Sequence, residues 1–117
     1  MITIYGIKTC NSVQKAIKFC KTNGLQYSFH DFRAKPLEDS MIDFFAKHID
    51  INKLFNSRGT KYKELQLKEL DLDEDGKLKW LKKENMLLKR PVVTYTKNNE
   101  DKVLIAFDET LYKEELL

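Results

Sequence analysis

Tyr5-Gly6-Ile7-Lys8-Thr9-Cys10-Asn11-Ser12 decides how this chain is read. Before it stands a β-branched and aromatic run, Ile2-Thr3-Ile4-Tyr5, the composition of a strand. After it Val13, Ala16, Ile17, Phe19 and Cys20 recur at the i, i+3, i+4, i+7 spacing of an amphipathic helix. The stretch therefore carries the chain from strand to helix and sets Cys10 where the helix begins. Gly6 is a turn residue that lets the backbone pass close to a neighbour, and Asn11 or Ser12 is the expected helix cap. A helix start carries unpaired backbone N–H groups and the positive end of the macrodipole. Both favour a thiolate over a thiol, and the thiolate is the nucleophile. Cys10 is the candidate reactive cysteine.

Working outward, Lys21 and Asn23-Gly24 close the helix with a cation and a left-handed residue. Gln26 to Asp31 alternates with aromatics and reads as a second strand, parallel to the first as a βαβ unit of about 30 residues requires. Pro36 punctuates the chain. Leu37, Met41, Phe44, Phe45 and His48 then give a second amphipathic helix, with Glu38 and Asp39 in its first turn. Ile51 to Phe55 reads as a short helix, residues 56–60 as a loop and Lys61 to Leu65 as one or two helical turns. Asp73-Glu74-Asp75-Gly76 opens a further helix, with Leu78, Trp80 and Leu81 on its apolar face and an end near Asn85. Val92 to Thr96 is a strand, Lys97 to Asp101 a turn and Lys102 to Phe107 the returning strand of an antiparallel hairpin. Asp108 caps a last helix, Glu109 to Leu117. The order is β-α-β, a helical block at about 37–85, then β-β-α: a single α/β domain over 1–117, with a mixed sheet of about four strands and helices on both faces.

The 117 residues carry a net charge of +3, with 42% hydrophobic and 33% charged residues. That is enough chain for one core. Lys and Glu are interspersed, as on solvated helix faces, whereas nucleic-acid binding calls for a concentrated basic stripe, so direct DNA binding is not expected. No apolar run approaches the ~20 residues of a membrane span. The N-terminus enters a strand directly, without a charged leader. A cytoplasmic location is expected, where a structural disulfide between the two cysteines is not.

Cys20 lies ten residues beyond Cys10 on the same helix. That is a rise of ~15 Å, where a disulfide needs Cα atoms within ~7 Å. Val13 occupies the place a Cys-x-x-Cys motif would need, so a thiol that resolves an oxidised Cys10 comes from outside, from glutathione or a thioredoxin-type protein. Pro91 marks either the first residue of a strand or a tight, cis turn. Arg90 before it offers a planar fork to an oxyanion or carboxylate, as does Arg58 in its glycine-containing loop. Asp71-x-Asp73-x-Asp75-Gly76 imitates the opening of a calcium loop, but Lys82 stands at the twelfth position, where a glutamate is required. It reads as an acidic helix start. His30 and His48 lack metal spacing with the cysteines, and no metal site is expected.

Four segments together carry a resemblance over nearly the whole chain: Tyr5-Gly6-Ile7-Lys8-Thr9-Cys10-Asn11, residues 56–62, Leu88-Lys89-Arg90-Pro91-Val92-Val93 and residues 103–108. With them the chain resembles the arsenate-reductase-like branch of the thioredoxin superfamily, which includes the ArsC, Spx and YffB types. The resemblance implies a thioredoxin-like core, an inserted helical block and a cis proline at Pro91 facing the cysteine. It implies Cys10 as nucleophile, with an anion site of Arg90, Arg58, Thr9, Asn11 and Ser12. The hairpin's second strand lacks the arginine of the arsenate reductases, and Cys10-Asn11-Ser12-Val13 lacks the second cysteine of the redox regulators. The pattern is most similar to small bacterial single-cysteine proteins that resemble glutathione-dependent thiol reductases. The function so implied is a thiol or oxyanion reductase without a bound cofactor, with glutathione as co-substrate or glutaredoxin as reductant. The alternative is a regulator that binds RNA polymerase without catalysis.

Overall fold

The computed structural model describes residues 1–117. In chain order the elements are β1 (Ile2–Gly6), α1 (Asn11–Thr22), β2 (Tyr27–Asp31), α2 (Asp39–His48), α3 (Ile51–Leu54), α4 (Thr60–Glu64), α5 (Glu74–Lys83), β3 (Val92–Lys97), β4 (Glu100–Ile105) and α6 (Glu109–Leu116). Short 3-10 turns lie at Leu67–Leu70 and Asn85–Leu87. The chain divides into two compact units, one of Met1–Lys35 with Arg90–Leu117, the other Pro36–Lys89.

The first unit is built on a four-stranded mixed sheet in the order β2-β1-β3-β4. β1 and β2 are parallel, as the βαβ reading requires, and β3 is antiparallel to both β1 and β4. Side chains alternate along strands, so Ile4, Val93, Tyr95 and Leu104 reach one face, where they join Val13, Ala16, Phe19 and Cys20 of α1 and Tyr112 of α6 in a buried cluster. Burying apolar area of this kind contributes roughly 25 cal/mol per Å2. α1 ends as its sequence announces: Gly24 is left-handed at φ 64°, its N–H donates to Lys21 O (3.3 Å) and the Leu25 N–H to Cys20 O (2.9 Å).

Three local expectations are corrected. The helix cap is Cys10 itself, extended at φ −82° and ψ 125°, and no side chain makes a cap hydrogen bond. Asn11 is already helical, because the chain turns into α1 one residue earlier than the polar side chains suggest. The hairpin turn is two residues, not five: Asn98 and Asn99 are both left-handed (φ 53° and 64°), and Lys97 pairs with Glu100. Such a turn matches the twist of the flanking strands. β4 stops at Ile105 because Ala106 is left-handed at φ 64° and cannot continue it.

The second unit is helical. Ile42, Phe45, Leu54, Leu67, Leu81 and Leu87 are fully buried. Glu38 is the cap of α2, α4 starts at Thr60, and Leu78 and Trp80 are only half-buried. Asp73 caps α5, accepting from Gly76 N at 2.7 Å. Asn85 is a buried polar residue: its Oδ1 accepts from Leu37 N (2.8 Å) and its Nδ2 donates to Leu81 O (2.9 Å). No helix is long and apolar enough to cross a membrane.

Candidate functional site

Strand register gathers the first unit's site segments at one end of the sheet. Gly6, the last residue of β1, pairs with Asp31, the last of β2, and Tyr5 pairs with Val92 at the start of β3. Val92 in turn pairs with Ile105, the last residue of β4. The Ile7–Cys10 loop, the turn after Asp31, the Arg90-Pro91 step and Ala106 therefore share the edge beyond the carboxyl end of β1, where open α/β sheets place ligands.

The cysteine loop is held from several sides. The Cys10 N–H donates to Ile7 O at 3.2 Å, and the Gln14 N–H of α1 donates to Cys10 O at 3.0 Å. The Lys8 peptide is bound on both faces: its N–H donates to Asp31 Oδ2 (3.2 Å) and its carbonyl accepts from Gln14 Nε2 (2.9 Å). The Phe32 N–H donates to Gly6 O at 3.0 Å. Asp31 Oδ1 also accepts from Arg33 N (2.9 Å) and Ala34 N (3.4 Å). Partial burial acts against the Asp31 charge, yet the backbone N–H groups of Arg33, Lys8 and Ala34 outweigh it and hold the carboxyl below the usual aspartate range.

Cys10 is a free, half-buried cysteine that rests against the edge of the core cluster. The first N–H groups of α1 have no acceptor within the helix. Thr9 and Asn11 are exposed and Ser12 half-buried on the same turn. The Arg90–Pro91 peptide is cis. Pro91 is buried, its carbonyl accepts from Ala106 N at 2.8 Å, and Arg90 is half-buried. Arg58 is carried by the other unit, where it is exposed and its N–H donates to Asn56 Oδ1 at 3.2 Å.

Cys20 is the contrast: it is 1% exposed, and burial pushes its thiol up from the ordinary range. The Tyr112 hydroxyl donates to Ala106 O at 2.7 Å. Its phenol is raised by burial first, then by Cys20 and Asp108 nearby. His30 Nε2 faces Lys35 O (2.7 Å) and His48 Nδ1 faces Phe44 O (3.0 Å), so each ring is bound to backbone. No group of three or more His, Cys, Asp or Glu side chains is placed to hold a metal ion.

Sequence reading missed Asp31 and Gln14. An aspartate at a strand end before a turn is a recognisable Asx-turn signal, but its reach to Lys8, 23 residues earlier, is a tertiary contact.

The ArsC family model matches residues 5–114. The uncharacterized protein YusI of Bacillus subtilis is 32% identical over 117 residues, covering 97% of this chain and 96% of that one. A Staphylococcus aureus protein solved by NMR in solution is 35% identical, with a TM-score of 0.78, covering 100% of this chain and 99% of its own. An arsenate reductase (ArsC) related protein from Brucella melitensis is 27% identical, with a TM-score of 0.71 over 97% of this chain and 92% of that one. The chain belongs to the ArsC family and has its thioredoxin-like α/β fold, a four-stranded mixed sheet with helices.

Proposed function

We propose that this ArsC-family protein is a thiol-dependent reductase with Cys10 as its single nucleophile, working in the cytoplasm. The Cys10 thiolate attacks one sulfur of an oxidised substrate. A Cys10–S–S–R bond forms as the substrate's S–S bond breaks, and the leaving thiolate takes up a proton. An external thiolate, from glutathione or a glutaredoxin, then attacks the mixed disulfide and frees Cys10. That attack falls on the R sulfur and leaves R joined to the external thiol; a second external thiolate then displaces R, which departs as its thiol, and one external disulfide is formed. With an oxyanion substrate the Cys10 sulfur bonds the central atom as one oxygen leaves as water, and two external thiols that become one disulfide supply the two electrons and free Cys10. Arg90, Thr9, Asn11 and Ser12 bind the anion, and Pro91 shapes the wall opposite the sulfur.

One observation carries this reading: Cys10 occupies the cap position of α1, and its side chain makes no cap hydrogen bond. The family match and the likeness to the arsenate reductase (ArsC) related protein of Brucella melitensis support the reaction class. The distance along α1 between Cys10 and Cys20 supports an external reductant.

The test is an assay of hydroxyethyl disulfide and arsenate reduction, coupled to glutathione, glutathione reductase and NADPH, with and without glutaredoxin. The wild type turns over at least one substrate, and Cys10→Ser abolishes that turnover. A Cys10→Ser protein as active as wild type overturns the assignment.

A further inference from the structure

The geometry points to Asp31 as a positioning residue that, with Gln14, clamps the Lys8 peptide from both sides and so fixes the pose of Cys10. The inference rests on Cys10 being the reacting thiol. Asp31 Oδ2 takes the Lys8 N–H at 3.2 Å while Gln14 Nε2 donates to the Lys8 carbonyl at 2.9 Å. One end of this clamp is anchored to the sheet, because Asp31 closes β2 and pairs with Gly6. The other is anchored to α1, where Gln14 lies one turn past Cys10 and donates its own N–H to Cys10 O at 3.0 Å. Lys8 is two residues before Cys10 and exposed, so nothing apolar holds it there. Without the two hydrogen bonds Lys8 loses both of its backbone partners, while the ends of the loop stay held by the buried Ile7 and by the Cys10 N–H bond to Ile7 O and the Gln14 N–H bond to Cys10 O.

Asp31 is suited to the task. Its second oxygen is tied to Arg33 N and Ala34 N, so the carboxylate cannot rotate away. Its carboxyl is held below the ordinary aspartate range and stays an acceptor at neutral pH. A carboxylate that touches neither substrate nor sulfur still orders the group that does.

Positioning and charge predict opposite signs. Removing a negative charge near Cys10 favours its thiolate, so a purely electrostatic Asp31 gives faster reaction when neutralised. A positioning Asp31 gives slower reaction, since the thiol spends less time over the helix start. The experiment follows iodoacetamide alkylation of Cys10 alone by peptide-resolved mass spectrometry, in Asp31→Ala, Asp31→Asn, Gln14→Ala and wild type. Asp73→Ala, which loses a comparable hydrogen bond capping α5, is the control for general destabilisation. We expect Asp31→Ala to slow Cys10 several-fold, below the ~100-fold that a 1 Å misplacement can cost in catalysis, with Asp31→Asn between it and wild type. Gln14→Ala, which changes no charge, is slowed in the same direction, and Asp73→Ala is unchanged. Where turnover is measured, kcat falls while KM holds. Rates equal to or faster than wild type in Asp31→Ala or in Gln14→Ala overturn the inference, and Gln14→Ala decides alone if Asp31→Ala fails to fold. Alkylation needs only a thiol, so an absence of turnover in the wild type refutes the reductase reading and leaves this ranking intact.

Discussion

A methyl group added at Gly6 would run into Cγ2 of Val13 and come within 3.2 Å of its Cγ1. Val13 is fully buried, and as a β-branched residue it has little freedom to rotate away. The absence of a side chain at Gly6 is therefore what lets β1 end directly against the first turn of α1, the two supports of the Cys10 loop. Gly6→Ala is expected to cost about 1–3 kcal/mol through overpacking and to change the alkylation rate of Cys10 along with stability. Urea unfolding read by circular dichroism checks the first part; an unchanged midpoint would mean that Val13 yields without strain. Ala106 shows a different constraint on a single residue. It holds a left-handed φ of 64° between two hydrogen bonds, its own N–H to Pro91 O and its carbonyl to the Tyr112 hydroxyl. A side chain in that region is disfavoured by roughly 1–2 kcal/mol, which the surrounding contacts offset.

Among the elements, the exposed side of α6 meets the β3–β4 hairpin through the Glu115 carboxylate and the Glu114 carbonyl, which accepts from Lys97 Nζ at 3.2 Å. Glu115 Oε1 accepts from the Tyr95 hydroxyl (2.5 Å) and Oε2 from Lys97 Nζ (3.1 Å), with Lys102 Nζ at 4.0 Å. The Tyr95 hydrogen bond, then the Lys97 one, hold the Glu115 carboxyl below the ordinary glutamate range. A carboxyl that titrates lower when folded than when unfolded stabilises fully above the unfolded value of ~4.3. That contribution fades as pH falls through the lower folded value. The melting temperature of the wild type is expected to fall as pH drops from about 5 to 3, and Glu115→Gln to lose less over the same interval. Equal losses in both proteins would place the acid sensitivity elsewhere. These elements also show what the sequence made legible. β1 follows from its β-branched and aromatic composition, α1 from the stripe it buries, and β2 from the alternation of Tyr27 and Phe29, which pack against the core cluster. The hairpin was read too short because Thr96, Glu100 and Asp101 are exposed and polar, and their pairing leaves no alternation to detect. The break at Ala106 was invisible: a small residue reads as strand, and its backbone is set by Pro91 and Tyr112. Cys10 was located by the strand-to-helix change, yet its place as cap was not, since cap preferences name polar side chains. Asp31 and Asn85 act through partners 23 and 48 residues away, beyond any local pattern.

For the whole molecule, the question is where an oxidising equivalent comes to rest. The protein has two thiols, one half-buried at the start of α1 and one fully enclosed near its end. α1 runs unbroken from Asn11 to Thr22, so at 1.5 Å per residue the two are ~15 Å apart along the axis, against the ~7 Å that a disulfide tolerates. The far end of α1 is pinned as well, since the Cys20 carbonyl accepts from the Leu25 N–H. Burial raises the Cys20 thiol and lowers its share of thiolate. Peroxide should therefore convert Cys10 first to a sulfenic acid, which no thiol of the same chain can reach. With glutathione present the product is a mixed disulfide at Cys10, reversed by dithiothreitol. Without it Cys10 advances to the sulfinic acid, which dithiothreitol does not reverse. Non-reduced digests read by mass spectrometry distinguish these outcomes. A Cys10–Cys20 peptide pair, from protein that remains monomeric and keeps its overall helix content by circular dichroism, would mean that the first turns of α1 open transiently in solution. The cysteines would then form an internal dithiol, and no external resolving thiol would be required.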